Sequence, residues 1–445
     1  MLNLLKTTTV LGGLVMAGAA FADAHAGGPY APYEGTTLIV NFPAHPHYNA
    51  VMEVLPEFTA QTGIEVEVDM LPYLDMRERQ TLELALDEGA YDLISYVVFS
   101  KADYVYADQL ENLAKYFMNP MLADPGYDAG DLIDGYVQNI GVAGGEKGYL
   151  PGPTGSLYGL PFGSETSVLY YRTDIFEKHG LEVPATYDAF LELACQIPEL
   201  EPGMGGVASR AASGHQASHA FLLHLAPLGG RVFDEAWAPT INNAAGAEAA
   251  QALKTIVDCG PEGSSAFGPA EAANAFAQGQ AAMFLDSIAF APTFEDESRS
   301  TVVGNVGWAA HPEGVVAASQ TGGFGLGIPA NAENKEAAFL LMQWLTSKEG
   351  DLMVAMAGGN PSRFSTYENA ELNAKYPWSA TFGEALAFAD PDWRPIIPAW
   401  GKINADIGTT MSQVLTENLD IQTALDGIAE RTQALMEEEG YYIWQ

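Results

Sequence analysis

The sequence predicts an α/β protein with two lobes, each built around its own sheet. Its 445 residues exceed one ordinary domain, and an apolar content of 48% is typical of a globular chain. Short apolar segments alternate with amphipathic segments from Thr36 to Phe99, and the alternation starts again at Val168. Such alternation indicates βαβ units, in which helices cover both faces of a sheet.

Each element of the first lobe has its own signal. The run TTLIVNF predicts a strand, and the amphipathic segment YNAVMEVLPEFTAQT predicts a helix that ends at Gly63. IEVEVDM alternates like a half-buried strand, and DMRERQTLELALDE predicts a second helix that ends at Gly89. YDLISYVVF is almost continuously apolar, as expected of a strand inside a parallel sheet.

The second lobe follows an irregular segment. Gly, Pro and Asp are frequent from Asn119 to Gly163, which indicates a crossover between lobes. Val168–Arg172 is then a predicted strand, followed by a short helix that ends at Gly180. Because adjacent strand residues point to opposite faces, Tyr170 and Tyr171 cannot both face one site, and we expect both to pack.

The N-terminus has the features of a cleaved signal peptide that spans residues 1–26. One cation, Lys6, precedes an apolar run from Val10 to Phe21, and cleavage could follow Ala22, Ala24 or Ala26. The run is short and rich in Gly and Ala, which disfavours a membrane-spanning helix. No cysteine follows it to carry a lipid. The sequence therefore predicts an exported, periplasmic protein.

Charge and cysteine content narrow the function further. The chain has 57 Asp and Glu against 19 Lys and Arg, a formal net charge of −38, which excludes nucleic-acid binding. Its two cysteines are Cys195 and Cys259. Export permits a disulfide between them, but the sequence leaves the bond open because only geometry decides it.

No catalytic motif stands out. The sequence contains no G-x-S-x-G, H-E-x-x-H, C-x-x-C or P-loop pattern. Glu165 precedes a predicted strand and is either an acid, paired with Asp286 in a carbohydrate-active enzyme, or an acceptor for ligand hydroxyls; we favour the acceptor. His45 and His47 follow the first strand and could bind a metal or donate to hydroxyls. No cofactor is predicted.

Aromatic and polar side chains gather at predicted loop ends, a mix that suits a polar, uncharged ligand. Aromatic faces stack on the C–H faces of sugar rings, and carboxylates, imidazoles and guanidinium groups bind vicinal hydroxyls. The predicted ligand-binding residues are His45, His47, Tyr73, Phe99, Ser100, Glu165, His215, Gln216, Asp286, Phe324 and Arg363.

The stretch GLPFGSETSVLYYRTDIFEKHGLEVPATYDAF resembles the extracellular solute-binding proteins of ABC importers, in the carbohydrate-binding family that includes maltose and sorbitol/mannitol binders. FAQGQAAMFLDSIAFAPTFED, GGFGLGIPANAENKEAAFLLMQWLTSKE and PSRFSTYENAEL resemble the same family, so the likeness covers most of the chain from about Ile39 to Leu415. It implies a type II periplasmic binding-protein fold with several crossovers and a ligand cleft between hinged lobes. It also implies a monomer that delivers its ligand to a membrane permease without chemistry.

The resemblance also suggests how the chain divides. We expect residues 36–145 and 280–328 to form the N-terminal lobe, and residues 160–279 and 329–445 to form the C-terminal lobe. The alternative function within the same fold is binding of a metal or a cationic solute, favoured by the acidic surface and by His45 with His47.

Individual contacts follow from the same likeness. The loop at Gly163–Thr166 resembles a ligand contact from the second lobe, and Asp286 with Ser287 resembles one from the first. Phe324 stands where family members often have the tryptophan of a GGWG motif. The segment Pro361–Arg363 resembles a further contact loop. His215 and Gln216 occupy a loop where polyol binders often show an aromatic residue, a departure that bears on the ligand's identity.

Overall fold

The structure, a computed structural model, describes residues 28–144 and 155–441. The predicted signal peptide, residues 1–26, lies outside these residues together with its three cleavage positions. None of the described helices combines the length and the apolar character needed to cross a bilayer.

Strands and helices alternate along the described chain as predicted. The strands are β1 (Thr37–Pro43), β2 (Glu65–Leu71), β3 (Leu93–Val97), β4 (Val142–Ala143), β5 (Ser156–Leu157), β6 (Leu160–Glu165), β7 (Ser167–Arg172), β8 (Gly205–Ala208), β9 (Ala281–Ser287), β10 (Val306–Ala310) and β11 (Gly322–Gly327). The helices are α1 (Pro46–Thr62), α2 (Tyr73–Glu83), α3 (Ser100–Tyr106), α4 (Ala114–Phe117), α5 (Asp134–Tyr136), α6 (Thr173–His179), α7 (Tyr187–Leu200), α8 (His215–Leu225), α9 (Ala244–Asp258), α10 (Pro269–Ala277), α11 (Ala291–Phe294), α12 (Lys335–Leu345), α13 (Lys348–Met356), α14 (Phe364–Tyr367), α15 (Ala370–Lys375), α16 (Ser379–Leu386), α17 (Trp400–Thr416) and α18 (Ile421–Glu438).

Two sheets form the centres of the two lobes. The first has the order β2-β1-β3-β11-β6, and the second has the order β10-β7-β9-β8. In the first sheet β1 pairs in parallel with β2 and β3, while β11 runs antiparallel to both β3 and β6. In the second sheet only the β8–β9 pair is parallel. The predicted two-lobed α/β fold is therefore confirmed.

The predicted division of the chain between the lobes is wrong at several points. Within 280–328, β9 and β10 lie in the second sheet, and only β11 lies in the first. β6, assigned to the C-terminal lobe, is an edge strand of the first sheet. α12 and α13, also assigned to the C-terminal lobe, supply residues to the core around the first sheet. The pairing of distant strands decides lobe membership, and local periodicity does not encode that pairing.

The chain crosses between the sheets at Thr166, and the crossover segments bond to one another. The Thr166 hydroxyl donates to Oγ of Ser319, which lies on the second crossing between β10 and β11, over 2.6 Å. Ser319 is bonded through its backbone to Phe388 and Asp390, on the later segment before α17. These bonds hold the crossover segments next to one another. The two lobes can pivot about these segments.

Local signals specify several element ends correctly. Helix α1 ends at Gly63 with φ 69°, and α6 ends at Gly180 with φ 62°, the left-handed conformation that glycine adopts without strain. Tyr170 is fully buried in one cluster between sheet and helices, whereas Tyr171 packs against Phe176 on the other face. The expectation that both tyrosines pack is confirmed.

A disulfide joins the two cysteines, a bond that the sequence left open. Cys195 lies within α7, and Cys259 is the C-cap residue of α9. Their Cα atoms are 5.1 Å apart, within the range that a disulfide requires. The bond ties two helices that pack beside β8 in the second lobe.

Candidate functional site

Side chains from both lobes meet at the ends of β1, β6 and β9. His45 is the N-cap residue of α1, and its Nδ1 accepts a hydrogen bond of 3.2 Å from the backbone N–H of His47. Nε2 of His45 therefore carries the ring hydrogen, and it faces Oε1 of Glu165 at 3.3 Å. An imidazole N–H donor thus meets a carboxylate at the edge of the first sheet.

Glu165 connects the first sheet to the second. Its Oε2 accepts a hydrogen bond of 2.7 Å from the hydroxyl of Ser287, and the Tyr136 hydroxyl donates to its backbone carbonyl. Burial alone would raise the pKa of Glu165, but the His45 imidazole, the Ser287 hydroxyl and the charge of Arg210 hold it below its usual range. A general acid needs a raised pKa, so this carboxylate is suited to accept hydrogen bonds instead.

Asp286 was predicted to contact a ligand, but protein groups enclose it. The residue is 0% exposed, and its two carboxylate oxygens accept bonds of 2.6 Å from Nε and Nη2 of Arg210. Its Oδ1 also accepts from the backbone N–H of Ser287 at 2.7 Å. Nη1 of Arg210 donates to Oε1 of Gln216 over 3.3 Å. Asp286 is therefore a positioning residue for Arg210, and it lies in the second lobe, not the first.

The ring of Phe99 contacts groups from three other elements. The guanidinium carbons of Arg77 and Arg394 lie 5.0 Å and 5.9 Å from its centroid, a geometry typical of cation–π contacts. The ring of His215 lies 6.2 Å away, and Arg77 is also 5.9 Å from the ring of Tyr73. Tyr73, Phe99 and His215, all predicted to bind ligand, are thus brought together.

Two histidines of α8 complete this group. Nδ1 of His215 lies 3.1 Å from Nδ2 of Asn404, and Nδ1 of His219 lies 2.9 Å from Nη2 of Arg394. Burial lowers the pKa of His215 to about 3, and the charges of Arg394 and Arg210 act in the same direction. Burial and the same two arginines also lower the pKa of His219. Both imidazoles are therefore neutral hydrogen-bonding groups at physiological pH.

Sequence reasoning found part of this set and missed its arginines. We call the whole set the cleft cluster; it comprises His45, Tyr73, Arg77, Phe99, Glu165, Arg210, His215, Gln216, His219, Ser287 and Arg394. Its arginines lie on helix α2 or in irregular segments, where no periodic pattern marks them. The sequence did contain one signal for these arginines, namely that basic residues are scarce. The chain has only 19 Lys and Arg, and one of them stands in the loop DPDWRPIIP.

His47, Ser100 and Phe324 were predicted to bind ligand, and all three are buried. His47 is 2% exposed, and its Nδ1 accepts a hydrogen bond of 3.1 Å from the backbone N–H of Asn360. Phe324 is 7% exposed and presents its ring to His45 at 5.1 Å between centroids. Ser100 is 2% exposed. Their buried positions suit these three residues to support neighbouring residues of the cleft cluster.

Arg363 was predicted to be a contact from the second lobe, and this prediction is wrong. Its side chain is 0% exposed, and all three guanidinium nitrogens are bonded within the protein. They donate to the carbonyls of Thr346, Asp128 and Tyr127 and to the carboxylate of Asp131. Arg363 thus joins the turn after α12 to the segment before α5.

Changing Arg363 to methionine should therefore destabilise the protein even when no ligand is present. We expect the free energy of unfolding to fall by about 2 kcal/mol, since hydrogen bonds to a charged group are lost from a buried site. Urea denaturation would measure the change, with the exposed Arg299→Met as the control. An unchanged stability of the unliganded variant would contradict this structural role.

The metal site that the sequence raised as an alternative gains no geometric support. Within residues 28–144 and 155–441, no three His, Cys, Asp or Glu side chains are grouped so that they could hold a metal ion. A cavity of about 310 Å³ opens beside β10, but its lining, which includes Thr186, His311 and Phe388, shares no residue with the cleft cluster. The polar groups of both lobes converge at the cleft cluster.

The fold and this cleft define a two-lobed binding protein of the periplasmic type. The sequence profile of the bacterial extracellular solute-binding proteins matches residues 44–351. This chain belongs to that family. The resemblance noted in its sequence is thereby confirmed.

Individual relatives extend the comparison. The chain is 29% identical over 393 residues to the mannitol-binding protein of Pseudomonas aeruginosa, covering 82% of this chain and 85% of that one. An ABC transporter solute-binding protein from Agrobacterium radiobacter K84, solved with ribitol, has a similar fold with a TM-score of 0.78, 24% identity and coverage of 90% and 99%. One from Agrobacterium vitis S4, solved with D-mannitol, gives 0.75, 25% identity and coverage of 91% and 99%.

Proposed function

We propose that this protein captures a sugar or polyol in the periplasm and delivers it to an ABC permease in the inner membrane. Residues 1–26 would direct export, and the mature chain would act as a monomer without performing chemistry. The observation that carries the proposal is the contact of His45 and Ser287, from different lobes, with the one carboxylate of Glu165. The names of the mannitol-binding relative and of the mannitol-bound structure support it.

The chemistry of the cleft cluster suits hydroxyl groups. An ionised carboxylate at Glu165 accepts hydrogen bonds, while a neutral imidazole such as His215 donates them. Rings such as Tyr73 and Phe99 offer faces on which the C–H groups of a carbohydrate can stack. Closure of the two lobes about a hinge would bury a ligand that is held by these polar groups and aromatic rings.

The two alternatives raised by the sequence have weaker support. A metal or cationic solute would meet the guanidinium groups of Arg77, Arg210 and Arg394, whose charge repels it. An enzyme that used Glu165 and Asp286 would need an accessible second carboxylate, and Asp286 is enclosed by Arg210. We therefore retain carbohydrate binding.

Thermal denaturation with a panel of mono- and disaccharides, polyols and their acid derivatives would test the proposal. A ligand present at 100 times its dissociation constant stabilises the folded state by about 2.7 kcal/mol, which raises the melting midpoint. We expect at least one carbohydrate to do so. If no member of the panel raised the midpoint, carbohydrate binding would be wrong.

Glu165→Gln should weaken binding of the carbohydrate found in that screen by about tenfold or more. The change keeps the size of the side chain but removes the ionised acceptor, and hydrogen bonds to charged groups contribute about 1.5–3 kcal/mol. Isothermal titration calorimetry would measure the affinity, with the exposed Glu248→Gln on α9 as the matched control. Equal affinity of Glu165→Gln and the unchanged protein would exclude Glu165 from the binding site.

A further inference from the structure

Arg394 is a buried cation with no counter-charge in the described part of the chain. It is 6% exposed, and its Nη2 lies 2.9 Å from Nδ1 of His219. Its guanidinium carbon is 4.0 Å from the ring of Trp393 and 5.9 Å from that of Phe99. No carboxylate of the described residues lies within ion-pair distance of it, and its Nε has no hydrogen-bond partner among them.

Other arginines with little exposure differ from Arg394 in this respect. Arg210 binds Asp286 through two hydrogen bonds, and Arg363 contacts Asp131 at 3.2 Å. Taking an ion out of water costs several kcal/mol, and the cost is offset only by a partner of opposite charge with good geometry. Burial lowers the pKa of Arg394 to about 9, with Arg210 acting in the same direction, so the group stays protonated at neutral pH.

His219 adds a second donor beside Arg394. Because its Nδ1 accepts from Arg394, its Nε2 carries the ring hydrogen. His219 is 5% exposed, and this Nε2 has no partner within the residues that the structure describes. Two buried donors, one of them on a charged group, therefore have no acceptor among the residues that the structure describes.

The carboxylates of the cleft cannot neutralise this charge. Both oxygens of Asp286 are bonded to Arg210, and both oxygens of Glu165 are engaged by His45 and Ser287. Arg394 therefore has no carboxylate partner of its own among the described residues, although the whole chain has a formal net charge of −38.

We propose that the ligand is a carbohydrate with one carboxylate, such as an aldonic or uronic acid, whose carboxylate binds Arg394 and His219. A guanidinium group matches a carboxylate in geometry, and a cation without a counter-charge among the described residues is suited to bind one negative charge. The hydroxyls of the same ligand bind at Glu165 and His215. This assignment rests on the proposed function and names the substrate class within it.

Calorimetry with matched ligand pairs tests the assignment. Each uronic or aldonic acid of a stereoisomer panel would be compared with its neutral counterpart, for example D-glucuronate with D-glucose and D-gluconate with D-glucitol, with glucose 6-phosphate as the phosphate arm. We expect the acid of the preferred pair to bind at least about 100-fold more tightly than the neutral member, with the difference reduced at high salt. Tighter binding of the phosphate ester than of any carboxylate would overturn the choice of carboxylate.

The remaining outcomes separate this inference from the function itself. Equal or tighter binding of the neutral member would overturn the inference and leave sugar or polyol binding intact. No binding by any acidic or neutral carbohydrate would overturn the proposed function as well.

The variant Arg394→Gln tests whether Arg394 is the residue that binds the carboxylate of the ligand. Arg431→Gln, at an exposed position on α18, is the control. We expect Arg394→Gln to lower affinity for the preferred acid about 100-fold and to lower affinity for its neutral counterpart by a much smaller factor. Its unliganded melting midpoint should be no lower than that of the unchanged protein, because a buried unpaired charge is removed. An equal loss of affinity for acid and neutral ligands would contradict the assignment.

Discussion

Asp286→Asn should lower the free energy of unfolding by about 3–5 kcal/mol, which is the expected cost when one partner of a buried ion pair is removed. The asparagine keeps the shape of the side chain but loses the charge that opposes Arg210. The pair makes two hydrogen bonds of 2.6 Å, and the side chains of Asp286 and Arg210 are 0% and 13% exposed, so little water can reach the arginine that loses its partner. Urea denaturation of the unliganded protein would measure the change.

Asp406→Asn provides the control for this experiment. Asp406 binds Arg431 at 2.9 Å between α17 and α18, but the two side chains are 28% and 53% exposed. Exposed pairs contribute about 1 kcal/mol or less, so this variant should unfold almost like the unchanged protein. Equal destabilisation by the two substitutions would show that burial of Asp286 is not what makes its pair important.

Removing the disulfide should have an effect of similar size. Cys195 and Cys259 are 64 residues apart in sequence, and closing a loop of that length is expected to stabilise the folded state by about 4 kcal/mol through the entropy of the unfolded chain. The double variant Cys195→Ser, Cys259→Ser should therefore unfold at a lower urea concentration. Denaturation with and without a thiol reductant would measure this difference.

The reductant supplies an internal control for the same prediction. It should lower the midpoint of the unchanged protein towards that of the double variant, and it should leave the double variant unaffected. A protein whose midpoint did not respond to reduction, despite complete cleavage of the bond, would argue against stabilisation by loop closure.

Arg394 and Glu165 illustrate two kinds of evidence for the site. Glu165 was predicted from its position before a strand, and the structure adds the reason for its role, since His45 and Ser287 from different lobes bond to it. Arg394 had no such signal, because it stands in an irregular loop. Its role depends on what surrounds it, namely Trp393, Phe99 and His219, with no carboxylate within ion-pair distance in the described part of the chain.

The sequence by itself determined the local structure and the class of fold. Apolar periodicity specified strands such as β2 and β3. Helices α1 and α6 end at Gly63 and Gly180, because glycine adopts positive φ without strain. The adjacent positions of Tyr170 and Tyr171 were enough to predict that they face opposite sides of a strand. Each of these properties depends only on neighbours within a few residues.

Only the tertiary structure decided which strands share a sheet and which charges meet. β11 pairs with β3 across more than two hundred residues of chain, and Asp286 meets Arg210 rather than a ligand. Arg363 was predicted from its motif to contact the ligand, but its guanidinium donates hydrogen bonds to carbonyl groups that the fold brings next to it. Such pairings depend on the folded positions of distant residues, and periodicity along the chain does not record them.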